Sequence, residues 1–491
     1  MQLNLAECFF RRAEQQPDHA LILGQDPGQT TRYCEFRLEV LQLARQLAET
    51  GVGRGDNIGL HHRSGRDYIA FIYAVWACGA CVTPLPLELT APEKREIFQH
   101  IHIDAVISGA EIFEPLAAAL ICPAVSLTPR AVFARTRVVP AAPPQLAAVN
   151  PAFIRFTSGT TGDAKGVVLS HESIHARIHA ANRALHINSE DRIVWLLSMD
   201  YHFAVSIVAY LTFGASIILP KNSFGVTLLA AASRHKSTII YGAPIHYSLM
   251  TQDDTGAALP AELRLAIVTT TALSSAAAED FHARFGRVLN ETYGIIELGL
   301  PAINVSNARA KQGSVGQVLP DYQLRLDRTE GQEHGEITVR GPGMLDAYYS
   351  PWRDREAIIQ QQGGWFRTGD LGRIDADGFL YIVGRLKEMI SVGGLKFFPE
   401  EVESVLESHP AIRAASVFGV EERQWGTTTA AHLVLADAST APDEQALRAH
   451  CRQALASYKI PGRFQWVERL TYTASGKKIR SADKLRPPES E

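Results

Sequence analysis

Twice along this chain, short apolar runs of four or five residues alternate with amphipathic helical stretches, and that alternation constrains the fold more than any other feature. Asn57-Ile58-Gly59-Leu60 reads as a strand, residues 67–78 as a helix, and Cys81-Val82-Thr83-Pro84-Leu85 as the next strand. Residues 92–100 are helical in pattern, and Ala105-Val106-Ile107-Ser108 is again a strand. The pattern returns after residue 190, where 193–197, 216–219, 238–241 and 265–268 are strand candidates between helical segments. Strands alternating with helices imply parallel βαβ units. At 491 residues the chain exceeds one ordinary hydrophobic core, so a large α/β body plus a smaller unit is expected.

Residues 140–151, rich in Pro and Ala, read as a surface connection, and 322–339 as a β-meander turning near Gly331-Gln332-Glu333. The clearest boundary falls at 378–387. Beyond it come a helix (399–408), two strands (414–420 and 430–435) and a further helix (443–455), enough for an independent small domain.

Composition excludes several classes. Hydrophobic residues make up 46% and charged residues 20%, as in compact globular proteins. The net charge of −4 gives no global attraction to nucleic acid or to an acidic membrane. The start, Met1-Gln2-Leu3-Asn4-Leu5-Ala6-Glu7, lacks the basic and apolar regions of a signal peptide. The apolar run 203–219 is broken by Ser206, Thr212, Gly214 and Ser216 and falls short of the roughly 20 residues that span a bilayer. It reads as a buried helix and strand, with no membrane span, and the cytoplasm is the default compartment. Cys78 and Cys81 form a C-x2-C pair, but no second pair or nearby histidine completes a zinc site, so a structural role is expected.

The strongest local signal is Phe156-Thr157-Ser158-Gly159-Thr160-Thr161-Gly162-Asp163-Ala164-Lys165-Gly166, set between two apolar strands. Its glycines allow tight turns that aim several N–H groups at one anion. Its hydroxyls donate to phosphate oxygens, and Lys165 adds a point charge. The spacing is not that of a Walker A loop, because Lys165 follows Asp163-Ala164.

This segment resembles the signature loop of the adenylate-forming superfamily, which includes acyl-CoA synthetases, adenylation domains of nonribosomal peptide synthetases, and luciferases. Further matches follow in the family's order: Asn290-Glu291-Thr292-Tyr293-Gly294-Ile295-Ile296-Glu297, Gly313-Ser314-Val315-Gly316, and Gly335-Glu336-Ile337-Thr338-Val339-Arg340-Gly341-Pro342. Trp365-Phe366-Arg367-Thr368-Gly369-Asp370, Gly384-Arg385-Leu386-Lys387-Glu388, Gly393-Gly394-Leu395-Lys396 and Thr473-Ala474-Ser475-Gly476-Lys477 complete the series.

The resemblance implies a large N-terminal domain (1–384) of parallel α/β subdomains with a β-rich part. A small, mobile α+β domain (385–491) follows, hinged near Lys387. It implies ATP-dependent activation of a small carboxylic acid as the acyl-adenylate, with release of pyrophosphate, then transfer to the thiol of CoA. A rival reading loads the phosphopantetheine of a separate carrier protein. A non-catalytic adenylate-binding protein and a luciferase-like oxygenase are remoter alternatives. Both reactants are anions, so catalysis rests on positioning and charge neutralisation. The implied catalytic residues are Lys477, Glu297, Thr161 and Lys165, with Glu297 the Mg2+ ligand. Thr157, Ser158, Gly159, Thr160, Gly162, Thr271, Asn290, Thr292, Tyr293, Gly294, Asp370 and Arg385 are implied to bind the nucleotide, Asp370 through the ribose hydroxyls. Tyr201, His202 and Thr270 are implied to line the acid pocket. Lys387, Gly393, Gly394 and Lys396 belong to the hinge and thiolation face, where the glycines leave room for a pantetheine arm.

Two departures stand out. Ile296 replaces the family's threonine before the glutamate, and Val268-Thr269-Thr270-Thr271 replaces its Ser-Gly-Gly-Ala segment, which narrows the region bordering adenine and acyl pocket. Asp200 lies near the position where amino-acid-activating relatives pair the substrate amine, but Tyr201-His202 matches the aromatic-His pair of acyl and aryl ligases better.

Overall fold

The computed structural model describes residues 2–24, 30–113, 124–137, 140–156, 165–328, 332–392, 395–422, 426–436, 440–472 and 478–480. Two nine-stranded sheets dominate it. In the first, Asn57–His61 pairs in parallel with both Cys81–Pro84 and Ala105–Gly109, and Cys81–Pro84 pairs in parallel with Pro151–Arg155. Its flanks are antiparallel: Ala131–Arg135 beside Ala105–Gly109, and Lys165–Ser170 between Pro151–Arg155 and Ala347–Ser350. The second sheet is parallel from Ala20–Leu23 through Ser216–Ile218, Arg192–Trp195, Ile239–Gly242 and Leu265–Val268 to Asn290–Ile295. It ends in the antiparallel strands Gly299–Ile303 and Gln317–Val318.

The parallel centres follow from composition. Every residue of Asn57–His61, Ala105–Gly109 and Leu265–Val268 is buried, as expected of strands covered on both faces and read as continuous apolar runs. The antiparallel rims are less apolar and depart from the purely parallel expectation. Hairpin returns such as Asn290–Ile295 to Gly299–Ile303 need no crossover helix and so leave no βαβ signature.

The run 203–219 forms the buried helix Ile207–Phe213 and strand Ser216–Ile218. Among the described residues, no helix is long and apolar enough to cross a membrane. Cys81 is buried, and Cys78 donates from Sγ to the Ala44 carbonyl at 3.2 Å.

A four-stranded antiparallel sheet, ordered Gln323–Asp327, Gly335–Arg340, Phe366–Ile374, Leu380–Arg385, forms the β-rich part and contains the expected 322–339 hairpin. Past the turn Leu386–Glu388, the helices Pro399–Glu407 and Glu444–Arg452 pack with a three-stranded sheet around Val402, Leu406, Val417, Leu433, Leu447 and Cys451. The described tail is pinned to the first of these helices. Lys478 Nζ donates to Glu403 and Glu407, each at 3.1 Å, and Arg480 pairs with Glu388, Glu400 and Glu403.

Candidate active site

Asp370 and Arg385 face each other on adjacent antiparallel strands, so their opposite charges meet on one side of the sheet. Arg385 Nε lies 2.8 Å from Asp370 Oδ1, and the Tyr293 hydroxyl donates to Oδ2 at 2.8 Å. Asp370 is only 3% exposed. Burial, and then the Asp370 charge, push the Tyr293 phenol far above its ordinary range, so it remains a donor. A carboxylate offers about four lone-pair sites. Two are used here, and the remainder can accept further hydroxyls.

Tyr293 opens a path to a second carboxylate. Its strand, Asn290–Ile295, turns through Ile296, Glu297 and Leu298 into Gly299–Ile303, and Gly299 takes a φ of 88° that a side chain would resist. The Glu297 main-chain oxygen accepts from Leu345 N at 2.7 Å. The only described group near its carboxylate by hydrogen bond is the Tyr348 hydroxyl, at a long 3.4 Å. A half-buried carboxylate so lightly engaged fits a hard cation such as Mg2+, which takes oxygen ligands. Arg177, fully buried, braces the turn. It donates from Nε to Gly343 O at 2.8 Å, from Nη1 to Ile296 O at 2.9 Å, and from Nη2 to Gly343 O.

A third group gathers at the carboxyl ends of the parallel strands. The short helix Met199–His202 places the His202 ring 6.3 Å from Trp195 and 6.4 Å from Tyr241, and those two rings stack at 5.3 Å. Arg155 donates to the Tyr201 carbonyl at 3.1 Å, and its guanidinium lies 5.0 Å from the Tyr201 ring centre. Burial, and then the Arg155 charge, pull His202 down to about 3, so its imidazole is neutral near pH 7. Asp200 does not face this space as a free acid. It accepts from the Tyr68 hydroxyl at 2.9 Å and the Ser198 hydroxyl at 3.2 Å, and burial lifts it to about 7. Thr270 adopts a φ of 83°, with its hydroxyl enclosed and without a hydrogen-bond partner, and Thr271 follows half-buried.

The other expected residues are distributed as follows. Asn290 uses its amide to tie strands together, accepting from Ala266 N and donating to Asn304 O, each at 3.0 Å. Thr292 donates to the Val268 carbonyl at 3.2 Å. Gly294 is exposed, and a Cβ there would stand 2.3 Å from the Gly299 carbonyl oxygen. Lys387 is exposed in the turn Leu386–Glu388. Lys165 begins the strand Lys165–Ser170, and Lys396 sits in Leu395–Phe397, but their side chains lie outside the described residues. So do Thr157, Ser158, Gly159, Thr160, Thr161, Gly162, Gly393, Gly394 and Lys477. A surface cavity of about 340 Å³ lined by Glu39, Arg66, Asp67 and Arg130 contains none of these residues. Arg66 is already bidentate to Glu39, so its charge is matched within the chain.

The family model described as AMP-binding enzyme matches residues 9–349, and the AMP-binding enzyme C-terminal domain matches 401–477. The chain belongs to the AMP-binding enzyme family. The sulfoacetate–CoA ligase of Cupriavidus necator is 31% identical to it, with 96% of each chain covered. The 2-succinylbenzoate–CoA ligase of Bacillus subtilis is 27% identical, also with 96% of each covered. Among solved structures, the o-succinylbenzoate CoA synthetase of Bacillus subtilis with its acyl-adenylate intermediate superposes with a TM-score of 0.81, at 25% identity over 99% of both chains. An anthranilate CoA ligase shares the fold, with a TM-score of 0.82 at 23% identity and coverage of 97% and 95%.

Motif reading in this AMP-binding enzyme passes over four residues that the structure brings to the site: Arg155, Arg177, Trp195 and Tyr348. Only Arg155 leaves a visible trace in sequence, as the one charge in the apolar run Ala152-Phe153-Ile154-Arg155-Phe156. The others look like ordinary core or surface residues until the chain folds.

Proposed function

We propose that Glu297, Asp370, Arg385 and Lys477 hold the reactants while this AMP-binding enzyme activates a small carboxylic acid. The chain is an ATP-dependent, AMP-forming acid–CoA ligase. A carboxylate oxygen of the acid attacks the α-phosphorus of ATP, the bond to pyrophosphate breaks, and an acyl-adenylate forms. The thiol of CoA then takes the acyl carbon, and AMP leaves. The observation that carries this assignment of residues is the continuity of one strand and its turn. Tyr293 reaches the Asp370–Arg385 pair, and four residues later Glu297 presents a lightly engaged carboxylate.

Asp370 keeps acceptor capacity for ribose hydroxyls, and Arg385 holds its carboxylate in place. Glu297 would hold Mg2+, which neutralises phosphate charge when bound. Lys477, carried by the tail that Lys478 and Arg480 anchor, offsets the charge developing between carboxylate and α-phosphate. Ile296 contributes no hydroxyl. Its carbonyl instead receives Arg177, so this position serves to fix the turn.

CoA is favoured over a carrier protein because the named relatives (sulfoacetate, 2-succinylbenzoate, fatty-acid and feruloyl ligases or synthases) are all CoA enzymes. In two of these names the acid bears two anionic groups. We place the junction of a large domain (1–384) and a small one (385–491) near the exposed Lys387, where a rotation would exchange the two half-reactions. The cytosol, where ATP and CoA are available, is the proposed compartment.

The test is carboxylate-dependent ATP–pyrophosphate exchange over a panel of fatty, aryl and dianionic acids, with Lys477→Ala beside the native chain. Exchange with one class of acid, reduced by about 100-fold or more in the variant, is expected. Exchange with none, or a variant as active as the native chain, would overturn the assignment.

A further inference from the structure

Arg155 stands at the last position of a strand whose three preceding residues, Ala152, Phe153 and Ile154, are buried. Side chains alternate along a strand, so Arg155 points the same way as Phe153. Phe153 stacks on Phe203 at 6.4 Å, and Arg155 accordingly emerges beside Tyr201 and His202. This is the carboxyl end of a parallel sheet, where open α/β folds receive their ligands.

The guanidinium carries five donors but makes a single hydrogen bond among the described residues, to the Tyr201 carbonyl. Its Nε is enclosed and has no partner among the described residues. No ion pair forms to it among the described residues. Glu297 and Asp200 act on it only through space, and Asp200 is occupied by Tyr68 and Ser198. On the other side of the His202 ring, 6.3 Å from it, the indole Nε1 of Trp195 is also enclosed and without a partner among the described residues. A half-buried cation with one acceptor and an enclosed N–H with none among the described residues are costly unless something else supplies oxygen.

We propose that Arg155, assisted by the Trp195 indole, binds a second anionic group on the acid, a carboxylate or sulfonate, so that the substrate is a short dianionic acid rather than a fatty acid. This rests on the acid-activating reading above. Arg155 lies beside Tyr201 and His202, and the His202 ring leads on to Trp195, whereas the nucleotide-directed pair Asp370–Arg385 is built on another sheet. The neutral His202 adds no competing positive charge, so the anion's position is set by the guanidinium.

The test uses the full chain and acids matched in size: succinate against butanoate, sulfoacetate against propanoate, and 3-(2-carboxyphenyl)propanoate against 3-phenylpropanoate. Pyrophosphate exchange is measured for the native chain, Arg155→Met and Arg155→Lys, with MgATP binding by calorimetry showing that each variant is folded. The native chain should prefer at least one dianionic member by about 100-fold in kcat/KM. Arg155→Met should bring that ratio close to one, mainly through KM, and Arg155→Lys should restore part of it. An equal loss for both members of each pair would mean that Arg155 serves the reacting carboxylate or the phosphates, and would overturn the proposal. Native preference for the monoanionic acids would overturn it as well, while leaving acid activation intact. Exchange with no acid would remove both readings together.

Discussion

Arg177 and Arg155 both feel the Glu297 carboxylate, and both are taken out of water, yet the chain treats them in opposite ways. Arg177 spends Nε, Nη1 and Nη2 on the carbonyls of Ile296 and Gly343. Desolvation is severe enough to bring it down to about 10, and three main-chain bonds compensate. Arg155 makes one such bond and leaves Nε bare. A guanidinium saturated by main chain is part of the scaffold. One left unsaturated at the carboxyl end of a strand can be addressed to a ligand. Residue type is the same in the two cases; Arg177 is the more deeply buried, and it is the one whose hydrogen bonds are filled.

The largest effect should come from Arg177. Arg177→Met strands carbonyls in the core and frees the Glu297 turn, and should cost about 3–5 kcal/mol in a denaturant titration. A loss below about 1 kcal/mol would erase the distinction between the two arginines.

Asp200 tests whether Arg155 is secretly paired. Its folded value, about 7, lies above the ordinary 3.8, so the folded chain holds a proton more tightly than the unfolded chain. Stability from this group is therefore present below pH 3.8 and is lost as pH rises towards 7. Asp200→Asn should flatten that decline and gain about 2 kcal/mol at pH 8. If the variant is instead less stable at pH 8, the Asp200 charge is the hidden partner of Arg155.

The smallest effect is expected at Arg155 itself. Arg155→Met should change thermal stability by less than about 1 kcal/mol in either direction, because it removes a cation that the native fold only partly satisfies. A large destabilisation would make it a second Arg177.

Much of the fold was legible. The strand at 265–268 begins and ends where the apolar run does, and 57–60 differs from the observed Asn57–His61 by one residue. Both are covered on two faces, so hydrophobicity alone marks them. The strand Ala20–Leu23 and the helices Leu5–Gln15 and Tyr33–Glu49 escaped notice. The strand is short, its near partner Thr31–Arg32 is only two residues long, and its parallel partner is supplied from far along the chain. The antiparallel rims escaped for the reason given by their hairpins. At the site, motif resemblance brought out Asp370, Arg385 and Tyr293, which meet through hydrogen bonds, and Glu297, which lies in the turn after the Tyr293 strand. It also nominated Asn290, whose amide ties Ala266 to Asn304, a fact that only pairing register reveals. Arg155 and Trp195 belong to no motif. Their significance lies in bonds they fail to make, and a sequence does not display missing bonds.

The place of Ala20–Leu23 bears on how the chain is made. Ile22 aligns with Ile217, so this N-terminal strand, with its short antiparallel neighbour Thr31–Arg32, joins a sheet whose remaining members are encoded after residue 190. On a ribosome adding about 5–20 residues per second, it waits roughly 10–40 s for its neighbour to emerge. Meanwhile Asn57–His61, Cys81–Pro84 and Ala105–Gly109 already have each other to pair with. The first residues synthesised are thus among the last to settle, and during that interval Leu21 and Ile22, buried in the finished protein, are a natural place for a chaperone to hold.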